Sequence, residues 1–128
     1  MNENVISGII LDQSIKIHKE LGPGLLESVY QVVLAERLKR EGLRVESQKP
    51  VSFTFDGLVF ENGFRIDLLV EDCVVVELKS VEVLAPVYSK QVLTYLKLMN
   101  LHLGLLINFG APTLKQGFHR ILNGYISG

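Results

Sequence analysis

The sequence has no second cysteine, no membrane-length apolar run, no marked excess of either charge, and no repeat, low-complexity tract or linker. A lone thiol, Cys73, excludes an internal disulfide and fits a reducing, cytoplasmic compartment. The longest uncharged stretch, Leu98 to Leu114, is interrupted by Asn100, His102, Asn108, Gly110 and Pro112, so it does not read as a membrane span. The opening residues, MNENVISGII, lack the basic region and long apolar core of a signal peptide. Thirteen basic and fourteen acidic residues give a net charge of −1. A non-specific nucleic-acid binder is usually basic, so this argues mildly against that partner. Carboxylates that hold a cation are counted as negative in that sum, however. Overall charge therefore decides nothing.

What is present suffices for a core. The 128 residues, 48% hydrophobic and 21% charged, fit one folded domain spanning 1–128. Ile6, Ile10, Ile17 and Leu21 recur at near-helical spacing over 4–21, and Gly22-Pro23-Gly24 stops that helix. A second helix is predicted over 25–41, with Leu26, Val29, Tyr30, Val33, Leu34 and Leu38 facing inward. Arg37, Lys39 and Arg40 suit its negative end, and Gly42 caps it. The pattern then switches to period two. Strands are predicted over 43–48 and 50–55, with Asp56-Gly57 as a hairpin signal into 58–60. Two more follow at 64–70 and 73–79 around a turn at Glu71-Asp72. Residues 87–99 return to helical spacing, 103–109 is apolar enough for a strand covered on both faces, and the tail 117–126 suits a short strand or helix. This order describes an α/β fold, a central mixed sheet flanked by helices.

Residues 74–79 read Val-Val-Val-Glu-Leu-Lys, so Glu77 and Lys79 share one face of a strand that is otherwise apolar. Burying such charges unpaired costs several kcal/mol or more. The preceding strand, Arg65-Ile66-Asp67-Leu68-Leu69-Val70, also sets one carboxylate among aliphatics. A three-residue turn at 71–73 would pair Val70 with Val74 and set Asp67 opposite Glu77 on one face; a two-residue turn would separate them. Opposed like charges call for a cation, and hard oxygen ligands suit Mg²⁺ or Mn²⁺. The competing reading is a neutral ion-pair cluster, because Arg65 and Lys79 share that face in the same register.

With these residues in place, the sequence resembles the PD-(D/E)XK nuclease superfamily. Gly24-Leu25-Leu26-Glu27-Ser28-Val29-Tyr30 further resembles the motif that names its GxxExxY family. The likeness runs from about Ile15 to Asn123 and rests on GxxExxY, IDLLV and VELK in that order. Ile66 stands where the superfamily name has proline. The resemblance implies a restriction-endonuclease-like core and Mg²⁺-dependent phosphodiester hydrolysis in nucleic acid, DNA rather than RNA. It implies Asp67 and Glu77 as metal ligands, Lys79 as the residue that activates water or stabilises the transition state, and Glu27 as a further ligand, directly or through water. Gln91 and Tyr95, four residues apart, resemble a Q-x-x-x-Y element that faces the site and helps bind DNA. A polar helix face explains that pair almost as well.

Tyr30 shares a helix face with Glu27 and is a candidate substrate contact, although a half-buried core aromatic is the weightier reading. His18, His102 and His119 show no metal spacing and read as structural or exposed. Cys73 has no basic neighbour to activate it. Three functions compete: a metal-dependent nuclease, a non-catalytic interaction domain that keeps the nuclease fold, and a structural domain with an ion-pair cluster. The small body also leads to an expectation of a homodimer or a partner protein that supplies specificity.

Overall fold

The computed structural model describes residues 1–124. Helix α1 (Glu3–Leu21) starts where the Asn2 side chain accepts a hydrogen bond from the Val5 amide, and it ends at Gly22, whose φ of 74° suits glycine. Helix α2 (Glu27–Arg40) begins two residues later than predicted, with Leu26 as its N-cap residue. Leu26 is therefore 75% exposed, and Leu21, at the last turn of α1, is 45% exposed. Neither faces inward as the periodicity suggested. The intervening loop is pinned by the Tyr30 hydroxyl, which donates to the Gly22 carbonyl at 2.6 Å and accepts from the Leu25 amide at 3.1 Å.

The remaining elements are β1 (Val45–Phe55), β2 (Leu58–Val70), β3 (Val74–Lys79), α3 (Val87–Met99), β4 (Leu103–Asn108), α4 (Leu114–Gly117) and β5 (Phe118–Leu122). The strands lie side by side in chain order, and only β3 and β4 run parallel, so the sheet is mixed. The four short strands predicted between 43 and 70 are two long ones. Pro50 interrupts nothing because β1 is an edge strand, where a missing N–H costs no ladder bond. Gly63 keeps β2 continuous in another way. A Cβ there would stand 2.3 Å from the Phe53 ring, so glycine is what lets the ring cross the neighbouring strand. In the tail, α4 and β5 account for the prediction as far as residue 124; residues 125–126 lie outside the described residues.

Helices α1 and α2 cover one face of the sheet, packing Ile6, Ile10, Ile17, Tyr30, Leu34 and Leu38 on Val74, Val76 and Leu78. Helix α3 covers the other, setting Val92 and Leu96 on Val75 and Leu106. Strand β4 is buried throughout, as expected of a central strand covered on both sides. No helix among the described residues is long and apolar enough to cross a membrane.

Candidate metal centre

The β2–β3 turn has the three-residue form. Glu71 and Asp72 take left-handed conformations (φ 51° and 56°), and the ladder runs Val70 to Val74, Leu69 to Val75 and Leu68 to Val76. Continuing that register sets Asp67 opposite Glu77. At that point the backbone pairing of β2 with β3 stops, while β3 stays paired with β4 through Lys79 and Asn108. The two carboxylates fill the gap. The Asp67 amide donates to Glu77 Oε1 at 3.1 Å, and the Leu78 amide donates to Asp67 Oδ2 at 2.8 Å. Buried amides that have lost their ladder partners are thus satisfied by side chains.

Strand β2 also steps out of alternation here. Ile66 and Leu69 both pack on the α3 face, which strict period two forbids for residues three apart. The β1–β2 pairing skips the same point, running Ser47 to Leu68 and then Lys49 to Ile66. The skipped β1 residue, Gln48, has φ 51°. Its amide nitrogen donates to Gln31 Oε1 at 2.7 Å and to Asp67 Oδ1 at 3.3 Å. Sequence reading missed Gln48. The only hint was a polar run, Ser47-Gln48-Lys49, between two apolar strand segments.

Glu77 is 6% exposed. Burial, and then the negative charge of Asp67, push its carboxyl up to about 8; Lys79 opposes this only weakly. Among the described residues neither Arg65 nor Lys79 forms an ion pair with Asp67 or Glu77, so the neutral cluster that the register allowed is not formed. Lys79 Nζ instead lies 4.0 Å from Glu27 Oε1 and 4.3 Å over the Tyr88 ring. Ser80 Oγ donates to the Leu25 carbonyl at 2.6 Å, tying the end of β3 to the loop that presents Glu27.

Glu27 is the first residue of α2 and half exposed. It borders a cleft of about 370 Å³ together with Ser28, Gln31, Gln48 and Asp67. Among the described residues no three acidic, histidine or cysteine side chains come close enough to hold one metal ion. Glu27 is therefore not placed as a third direct ligand beside Asp67 and Glu77, because its carboxylate turns to Lys79. Tyr30 is not at the surface either. It is fully buried, stacked on Phe109 at 4.5 Å, with its hydroxyl committed to the loop, which replaces the substrate contact with a structural role.

Gln91 is exposed on α3, and Tyr95, one turn further along, stacks on Phe64 at 4.3 Å. Burial, Glu77 and Asp67 together raise the Tyr95 phenol, so it borders the acidic pair. The histidines lie elsewhere: His18 bonds the Ala111 carbonyl and His102 the Asn123 carbonyl. The Cys73 thiol is raised, mainly by burial and then by Glu3, Glu71 and Asp72, which is opposite to an activated nucleophile.

A model of the PD-(D/E)XK nuclease superfamily matches residues 4–121, from the first turn of α1 into β5. The chain belongs to the PD-(D/E)XK nuclease superfamily. Its five-stranded mixed sheet flanked by helices is the restriction-endonuclease-like fold of that superfamily. No curated protein and no solved structure matches the chain closely enough to count as a relative. Superfamily nucleases generally use divalent metal ions, and the donor set here fits one. Two carboxylates sharing a buried gap need a proton or a cation between them, and oxygen donors suit a hard divalent ion.

Proposed function

We propose that this protein is a metal-dependent nuclease of the GxxExxY type that hydrolyses phosphodiester bonds in nucleic acid, preferentially DNA. The observation that carries this reading is the meeting of Asp67 and Glu77 in the β2–β3 gap, with Lys79 two residues further along β3. Asp67 and Glu77 would hold Mg²⁺ or Mn²⁺, which when bound supplies a Lewis acid for the phosphoryl group and acidifies water. In the hydrolysis, a water oxygen bonds to phosphorus, the bond from phosphorus to the leaving sugar oxygen breaks, and that oxygen takes up a proton.

Lys79, held between Glu27 and the Tyr88 ring, keeps its ammonium at the rim of the gap, where it stabilises the charge that builds on the phosphoryl oxygens. Glu27 orients Lys79 and is available to bind water in the cleft it shares with Asp67. Gln91 and Tyr95 line the α3 side and would contact the nucleic acid. The lone Cys73 supports a reducing, cytoplasmic setting. The size of the chain favours a second copy or a partner protein that adds specificity, and light scattering that finds only monomer at high concentration would remove the dimer.

The deciding assay is cleavage of varied DNA and RNA with Mg²⁺ or Mn²⁺, beside Glu77→Ala and Lys79→Ala. Activity that needs metal, disappears in Glu77→Ala and falls by about 10²–10³ in Lys79→Ala is the expected result. Activity that survives both would belong to another site or a contaminant. Binding without cleavage under every metal condition would mean a non-catalytic domain on the same fold.

A further inference from the structure

The cation that could have cancelled the carboxylates is left uncommitted. Arg65 is exposed on β2, two residues from Asp67 and so about 7 Å along the strand. Among the described residues its guanidinium has no ion pair and no hydrogen bond. It borders a cleft of about 450 Å³ with Gln48, Pro50, Asn62 and Phe64. Gln48 also borders the cleft that contains Asp67 and Glu27. The two clefts therefore meet at Gln48, the residue that touches Asp67.

We propose that the Arg65 cleft binds the phosphate next to the one hydrolysed, so that a nucleic-acid strand crosses Gln48 with one phosphodiester at Asp67–Glu77 and its neighbour on Arg65. This rests on the nuclease reading above. The separation of two strand residues is close to one nucleotide step along an extended backbone. A guanidinium offers a rigid fork of donors that matches two phosphate oxygens, and with no carboxylate to satisfy it here the fork is free to do so. The Asn62 side-chain amide, also without a hydrogen-bond partner among the described residues, adds a second donor to the same cleft. Arg65 thus gives an otherwise acidic site a foothold for a polyanion and sets the register of the strand on Asp67.

The test uses the full chain and a labelled oligonucleotide, single-stranded and duplex. Binding is followed by fluorescence anisotropy over a salt series in Ca²⁺, with cleavage in Mg²⁺ alongside. Arg65→Gln is expected to bind about tenfold more weakly and to lower the salt slope by about one, the signature of one lost phosphate contact. Arg65→Lys keeps the slope and loses part of the affinity, because a point charge replaces the fork. Mn²⁺ affinity measured without nucleic acid stays at the wild-type value in both variants. If the wild type binds and cleaves while Arg65→Gln matches it in affinity and slope, the subsite is wrong and the nuclease reading stands. If Arg65→Gln loses Mn²⁺ affinity, or polyglutamate competes as well as oligonucleotide, the subsite is also overturned. A wild type that neither binds nor cleaves overturns both.

Discussion

Asp67 and Glu77 each give a carboxylate oxygen to an amide of the other's strand: Glu77 Oε1 takes the Asp67 amide at 3.1 Å, and Asp67 Oδ2 takes the Leu78 amide at 2.8 Å. Side chains normally stand away from the sheet, so two of them completing its ladder means that the strands part here. That parting brings both acids into one small volume. It also fixes Glu77 at one oxygen and Asp67 at Oδ2, with only the longer 3.3 Å contact from Gln48 on Asp67 Oδ1.

Without metal, stability should fall as pH rises. The folded Glu77 carboxyl titrates near 8 against an ordinary value of 4.5, so between these values the folded state binds more protons than the unfolded. The stabilising proton is fully present below about 4.5 and is lost as pH passes through about 8. Thermal melts in chelator are expected to drop by several degrees from pH 5.5 to pH 8.5. Mg²⁺ should reverse most of that drop at the higher pH, and Glu77→Gln should flatten it. A wild-type melting point independent of pH over this window would show that Glu77 is not held as the structure places it.

Lys79→Ala should lower kcat by about 10²–10³, the usual cost of removing one positioned charge from a developing anion, and leave KM nearly unchanged. Single-turnover cleavage measures it. Equal loss in KM and kcat would assign Lys79 to substrate binding instead.

Gln48 separates two effects in one position. Gln48→Gly suits the left-handed backbone, whereas Gln48→Ala keeps the strain, so glycine should be the more stable variant by about 1 kcal/mol. Both remove the amide that touches Asp67, and both should weaken Mn²⁺ binding by roughly tenfold to a hundredfold, as loss of a ligand-orienting contact does. Urea unfolding and metal titration read the two effects separately. Wild-type metal affinity in both variants would reduce Gln48 to a kink in β1.

Asn108 holds the loop between β3 and α3. Its side chain accepts from the Val81 and Gly110 amides at 3.0 Å each and donates to the Val81 carbonyl at 2.9 Å, and the residue is 3% exposed. Asn108→Ala strands those backbone groups and should cost about 2–3 kcal/mol in denaturant unfolding. It should also lower activity, since the same loop leads to Tyr88 and the α3 face. An unchanged midpoint would mean that water replaces the amide without loss.

Much of this was legible locally. Gly22 ended the first helix, Asp56-Gly57 closed a hairpin, and counting residues through the turn after Val70 left two registers, of which the structure takes the one that opposes Asp67 to Glu77. Strand lengths were less legible. Pro50 and Gly63 look like breaks in any one-dimensional reading, and they cease to be breaks only on an edge strand and beneath the Phe53 ring. Tyr30 shows the same limit for side chains. Helical spacing puts it with Glu27, but Phe109, contributed from beyond β4, is what buries it.

The sequence alone determined the α/β order, the acidic pair and the lysine beyond it, because turn chemistry and the two periodicities act between near neighbours along the chain. Only the tertiary structure decided what those charges meet. It parted β2 from β3 at the acids, gave Lys79 to Glu27 and Tyr88, denied Arg65 a carboxylate and brought Gln48 to Asp67. The physical reason is that an ion pair or a carboxylate–amide bond is settled within a few ångströms. The residues that share those ångströms come from different elements, Glu27 and Lys79 from either side of the β1–β2 hairpin in the chain, so their separation is set by packing and not by local sequence.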